Sequence, residues 1–185
     1  MKKKRAPRRK SSAPVKDHYK DHYTDFMARA YTMELEATER YAQFAEQLDT
    51  HNNREVASMF RKLAQVEALH AKRILEEMGW PSMPALPVAY AWESSEAPET
   101  AAFDELHYLM QPWHALEIAL RCELQAQQYF EGIAASKVPR RVRTTALEMA
   151  EEEREHVQLI RDWMKKVPKP PARWADDPDP PQLGE

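Results

Sequence analysis

The sequence predicts an all-α protein: a four-helix bundle with a long crossover between its second and third helices. Three observations carry this. Only three Gly occur in 185 residues, and the 14 Pro fall mostly at the two ends and in one middle stretch, leaving long blocks of Ala, Leu, Glu, Gln, Arg and Met, all good helix formers. Apolar residues in those blocks recur every three or four positions. One short pattern, Glu-x-x-His, occurs at Glu67–His70 and again at Glu153–His156, each time within an apolar seam.

The length suits one well-buried domain with tails. A single Cys makes no internal disulfide and there is no Cys-x-x-Cys, so a disulfide-stapled scaffold and a thiolate metal site are both excluded, and a reducing cytoplasm is expected. The net charge of −3 hides a cationic run over residues 1–10. No apolar stretch follows that run, so export is not expected, and no segment approaches the roughly 20 apolar residues of a membrane span.

Residues 1–17 are charged and poor in apolar groups, which predicts a disordered basic tail; the functional alternative is an arm that binds nucleic acid or an anionic surface. His18 and His22 stand one helical turn apart, a spacing that fits a partly exposed helix start better than a metal pair. The bundle is expected over 18–167. Its first helix, about 21–48, has the inward seam Met27, Ala30, Glu34, Ala37, Tyr41, Phe44, Leu48, and the polar cluster from Asp49 to Asn53 should stop it. The second, about 54–78, presents Val56, Phe60, Leu63, Glu67, His70 and Ile74, with Gly79 as its stop.

Residues 79–111 contain Pro81, Pro84, Pro87 and Pro98, which forbid a continuous helix and predict a crossover, with room for a short helix between Ala101 and Met110. Pro112 opens the third helix, with the seam Leu116, Ala119, Glu123, Ala126, Phe130, Ile133. The fourth, about 140–166, turns Val142, Ala146, Met149, Glu153, His156, Ile160 and Trp163 inward. Residues 168–185 form a Pro-rich tail, expected to be extended or disordered.

The second half thus repeats the first: one helix with a lone inward Glu, then one with Glu-x-x-His. Four carboxylates and two imidazoles buried in a bundle cost several kcal/mol each if left unpaired. Two divalent cations remove that cost, since four Glu charges balance four metal charges. Glu34, Glu67, His70, Glu123, Glu153 and His156 are therefore the expected metal ligands, and oxygen donors with imidazole suit iron, or manganese, better than a structural zinc. Tyr41, two turns beyond Glu34, is a candidate for hydrogen-bonding a ligand or relaying an electron, with core packing the competing role. Cys122 reads as a small buried hydrophobe, and Glu36, Glu39, Glu117, Glu151, Glu152 and Glu155 lie off the seams.

These residues resemble the ferritin-like superfamily, specifically its rubrerythrin and bacterioferritin branches. The resemblance covers about 21–166 and is carried by Glu34-x-x-Ala37-x-x-x-Tyr41, Glu67-x-x-His70, Glu123-x-x-Ala126 and Glu153-x-x-His156. It implies that Glu67 and Glu153 bridge two irons while Glu34 with His70, and Glu123 with His156, complete the two ends. It also implies oxidation of Fe(II) by O2 or H2O2, as a ferroxidase or peroxide reductase in iron handling or oxidative-stress defence. Three departures shape the subtype. The four Cys of a rubredoxin domain are missing, so electrons come from Fe(II) or an external donor protein; the additional Glu of rubrerythrins is Ala126; and the haem-binding Met of bacterioferritins is Ala68, so no haem is expected. A homodimer is the expectation by analogy. The alternatives are a di-manganese catalase and a non-enzymatic binding protein acting through residues 1–17.

Overall fold

The seams and stop signals of the sequence reappear in a computed structural model that describes residues 22–82 and 97–176. The basic tail at 1–17, His18, residues 83–96 of the crossover and the last part of the Pro-rich tail lie outside the described residues. Helix α1 spans His22–Thr50, α2 Arg54–Met78, α3 Pro112–Ala135 and α4 Arg140–Met164. No strand occurs among the described residues, and no described helix is long and apolar enough to cross a membrane.

Each boundary has a local cause. Helix α1 continues two residues beyond the expected Leu48 and stops where Asn52 adopts a left-handed φ of 59°, a conformation Asn tolerates better than most residues. The Asn53 amide then donates to the Leu48 carbonyl at 2.8 Å, satisfying one of the helix's free acceptors. Gly79, at φ 63°, ends α2: its N–H donates to the Glu76 carbonyl and that of Trp80 to the Leu75 carbonyl. Pro112 occupies the first turn of α3, where its missing N–H is no loss, and the Gln111 amide donates to His114 Nδ1 at 2.9 Å. In the tight turn into α4, Arg143 donates to the carbonyls of Ala134 and Ser136.

Helices α1 and α2 pack along one another, as do α3 and α4, and the two hairpins meet through α2 against α3 and α1 against α4. The core is divided. One apolar cluster joins Tyr41, Phe44, Leu48, Val56, Phe60, Leu63, Leu116, Ala119, Cys122 and Ile160. The other joins Phe26, Met27, Ala30, Met33, Ile74, Ala126, Phe130, Val142 and Ala146. Along every helix the carboxylate of the seam falls between residues of the first cluster and residues of the second.

One expectation is sharpened and another corrected. Between Ala101 and Met110 only a single 3₁₀ turn forms, Phe103–Glu105, because side chains take over local backbone donors: Glu105 accepts from the Ala102 amide at 3.0 Å and His107 Nδ1 from the Leu109 amide at 3.1 Å. The tail beyond Val167 does not simply run extended. Residues 172–175 turn, and Trp174 packs against the first apolar cluster with its ring 3.8 Å from that of His114, so one aromatic anchor offsets the ordering of the Pro-rich chain.

Phe60 stacks on Tyr41 at 5.8 Å and meets Phe44 edge-on at 5.2 Å, with no exposure to solvent. Phe60→Ala should therefore cost about 3–5 kcal/mol, read as a lower urea midpoint for unfolding of the metal-free protein.

Candidate metal centre

Between the two apolar clusters lies a layer of ionisable side chains. Glu34, Glu67, Glu123 and Glu153 are buried there, Glu67 completely, and His70 and His156 are mostly covered. Helical periodicity explains the placement, because a residue three or four positions from an apolar seam residue shares its face. On α2, Glu67 and His70 follow Leu63 in this way; on α4, Glu153 and His156 follow Met149.

The six groups form two matching triads. His70 Nδ1 lies 3.5 Å from Glu34 Oε2 and 3.2 Å from Glu67 Oε2. His156 Nδ1 lies 3.2 Å from Glu123 Oε2 and 3.1 Å from Glu153 Oε2. The imidazole rings are nearly parallel, 3° apart with centroids at 4.7 Å, as expected of two halves related by an approximate two-fold. In each triad two carboxylate oxygens and one ring nitrogen fall within 4.8 Å of one another, a spacing at which three donors can share one cation. Apart from the ion pairs to His70, Glu34 Oε2 and both oxygens of Glu67 have no hydrogen-bond partner, so the charge of this layer is poorly compensated by protein alone.

Protonation reflects the same deficit. Burial pushes the Glu34 carboxyl up to about 8 against the opposing influence of His70, and holds Glu123 well above the usual carboxylate range. Burial alone would lower the two histidines; their flanking carboxylates overcome it, raising His70 to about 10 and His156 to about 11. Without a cation, Glu34, Glu123 and the two histidines are held toward their protonated forms.

The sequence-expected ligands are therefore brought together in two groups of three. Tyr41 is fully buried on Phe60, and its hydroxyl has no hydrogen-bond partner; burial, with the charges of Glu67, Glu99 and Glu123 adding to it, raises it well above the ordinary phenol range. Cys122 is buried in the first cluster and pushed up to about 12 by that burial, which leaves an unreactive thiol. His22 is exposed at the start of α1, away from any donor cluster among the described residues. A cleft of about 170 Å³ reaches Glu34, His70 and Glu153 from the surface, with Arg73, Glu77 and Glu152 also lining it.

Sequence reasoning missed one residue, Glu99. It comes from the crossover, is 1 % exposed, and places a carboxylate oxygen within 4.8 Å of ligand atoms of both Glu67 and Glu123. Helical periodicity could not reveal it, since the segment around Pro98 has no period; its small flanking residues Ala97 and Ala101 were the one faint signal.

This geometry can be set beside known proteins. A rubrerythrin family model matches residues 25–101, which takes in α1, α2 and the crossover as far as Ala101. A crystal structure of an uncharacterized conserved protein from Magnetospirillum magnetotacticum is 33 % identical, with a TM-score of 0.57, covering 79 % of this chain and 95 % of that one. The chain belongs to the ferritin-like superfamily. None of the curated proteins matches it. As a ferritin-like protein it has the expected all-α four-helix architecture, and its carboxylate and histidine groups are of the kind that bind metal in that superfamily.

The raised values set the pH dependence of the metal-free protein. A group whose value is higher folded than unfolded stabilises the fold below the unfolded value and loses that contribution as pH climbs through the folded one. For Glu34 the window runs from 4.5 to about 8, and for His70 and His156 from 6.5 to about 10 and about 11. Thermal unfolding of metal-free protein should accordingly shift to lower temperature between about pH 5 and pH 9. With divalent cation present the decline should be smaller, since the ion replaces the protons.

Proposed function

We propose that this ferritin-like protein is a non-haem di-iron oxidoreductase that reacts with O2 or H2O2, acting as a ferroxidase or peroxide reductase. The observation that carries the reading is the meeting of two Glu, Glu, His triads in one buried layer, where four carboxylates share two imidazoles, His70 and His156, and the oxygens of Glu67 and Oε2 of Glu34 have no partner beyond the ion pairs to His70. Glu34, Glu67 and His70 would hold one iron, and Glu123, Glu153 and His156 the other, with Glu67 and Glu153 the bridging candidates. Hard oxygen donors with a single imidazole per ion suit iron, and manganese as its closest rival. Four carboxylates neutralise two divalent ions, so the filled site is no longer a buried excess of charge.

Bound iron would supply the two electrons that reduce one peroxide, with two protons, to two waters, the electrons being renewed from Fe(II) in solution or from an external donor protein. The chain's own contribution is to position donors and restrict access. Apolar clusters close the layer off along the bundle on both sides, while the cleft beside Glu34, His70 and Glu153 leaves one approach wide enough for a molecule the size of water, O2 or H2O2. Tyr41 stands close enough to the carboxylates to feel their charge, a position that fits a relay for a single electron. A cytoplasmic setting is consistent with one buried, unreactive thiol.

Anaerobic loading with Fe(II) should give two ions per chain, followed by consumption of O2 or peroxide on mixing. Glu67→Ala and Glu153→Ala should each lose that activity by a factor of 100 or more, on the order of 3 kcal/mol, while deletion of residues 1–17 leaves it unchanged. Peroxide turnover with O2 evolution by manganese-loaded protein alone would favour a catalase. Activity that follows residues 1–17 and not the glutamates would defeat the metal reading.

A further inference from the structure

Glu99 is the one charged side chain that the described part of the crossover sends into the bundle. Its neighbours are divided between the two halves of the core: Ala97 packs in the cluster with Phe130 and Met27, and Ala101 in the cluster with Tyr41 and Phe60. Residues 97–101 therefore run along the bundle across the carboxylate layer, and Glu99 is at its level. The segment leading into α3 is fastened at three points. Arg40 of α1 donates to the Ala101 carbonyl, Glu105 pairs with Arg121 of α3, and the Asn53 carboxamide donates to the Met110 carbonyl at 2.6 Å.

Such fastening does not by itself explain why a carboxylate fills the position. Ala and Thr at the same depth would avoid desolvating a charge, and a buried carboxyl with no partner costs several kcal/mol. Neither oxygen of Glu99 has a hydrogen-bond partner. The groups that it approaches are Glu67, which belongs to the first triad, and Glu123, which belongs to the second. Three carboxylates within 4.8 Å repel one another unless protons or a cation neutralise them, and a cation among them would be held by all three.

We propose that Glu99 is a seventh metal donor, supplied by the crossover, which shares the cations of the two triads with Glu67 and Glu123. This rests on the two-metal reading above and adds to it a link between metal occupancy and the crossover: loading the site fastens residues 97–101 onto the bundle. The donor comes from a segment outside the four helices, so the site has one ligand that can leave without disturbing helix packing.

Co(II) titration of the full chain tests this, with calorimetry for affinity and visible absorption for the coordination of the ion. Wild-type protein should bind two Co(II), and Glu99→Gln and Glu99→Ala should bind at least one of them roughly tenfold or more weakly, with an altered spectrum. Hydrogen exchange of peptides spanning 97–105 should slow on Co(II) binding in wild type and not in the variants. Anomalous scattering from Co(II)-loaded wild-type crystals, which needs no variant, should place an ion within about 2.5 Å of a Glu99 oxygen. Wild-type affinity, spectrum and exchange protection in both variants, or ions coordinated without Glu99, would overturn the proposal and leave the two-metal reading standing. Failure of the wild type to bind Co(II) would overturn both.

Discussion

Everything in this bundle is arranged around a layer of buried carboxylates. Glu34, Glu67, Glu123 and Glu153, with Glu99 beside them, lie between two apolar clusters in a region that water barely reaches. An isolated charge in such surroundings costs several kcal/mol, comparable to the whole stability of an ordinary domain. The layer is tolerable when protons or cations neutralise it. The raised carboxyl and imidazole values are the protonated solution, and two divalent ions are the alternative the donor geometry accommodates.

The aromatic clusters bound that layer above and below. Phe60, Phe44 and Tyr41 pack at one end, Phe26 and Phe130 at the other, so apolar burial continues on either side of the charged plane. The two halves match in their triads and in the parallel stacking of His70 on His156. They differ above the triads: Tyr41 stands seven residues beyond Glu34, where the second half has Phe130 seven beyond Glu123. A buried hydroxyl in one half only is an asymmetry that packing does not demand, since Phe fills the equivalent place.

A second asymmetry comes from the chain segments outside the helices. The crossover contributes Glu99 to the layer, and the start of the C-terminal tail returns Trp174 to the end of the bundle against His107 and His114. In both cases one side chain decides the course of a Pro-containing segment, a buried acid in the first and an aromatic ring in the second. Burial of a large ring offsets chain entropy directly. Burial of an acid does so only when a proton or a counter-charge neutralises it, a requirement that Glu99 shares with the triads it adjoins.

The sequence by itself determined the helices, their seams and the two triads. A period of 3.6 residues puts Glu34 under Tyr41, and Glu67 under His70, whatever else the chain does. The stops at Gly79 and before Pro112 were equally local, because a left-handed φ and a missing N–H are properties of single residues. Only the tertiary structure decided what has no period: that Glu99 enters the layer, that the stretch after Ala101 makes one 3₁₀ turn instead of a helix, and that Trp174 folds back on the bundle. Those placements depend on contacts between residues far apart in the chain, where geometry, and not local preference, selects which side chain is buried.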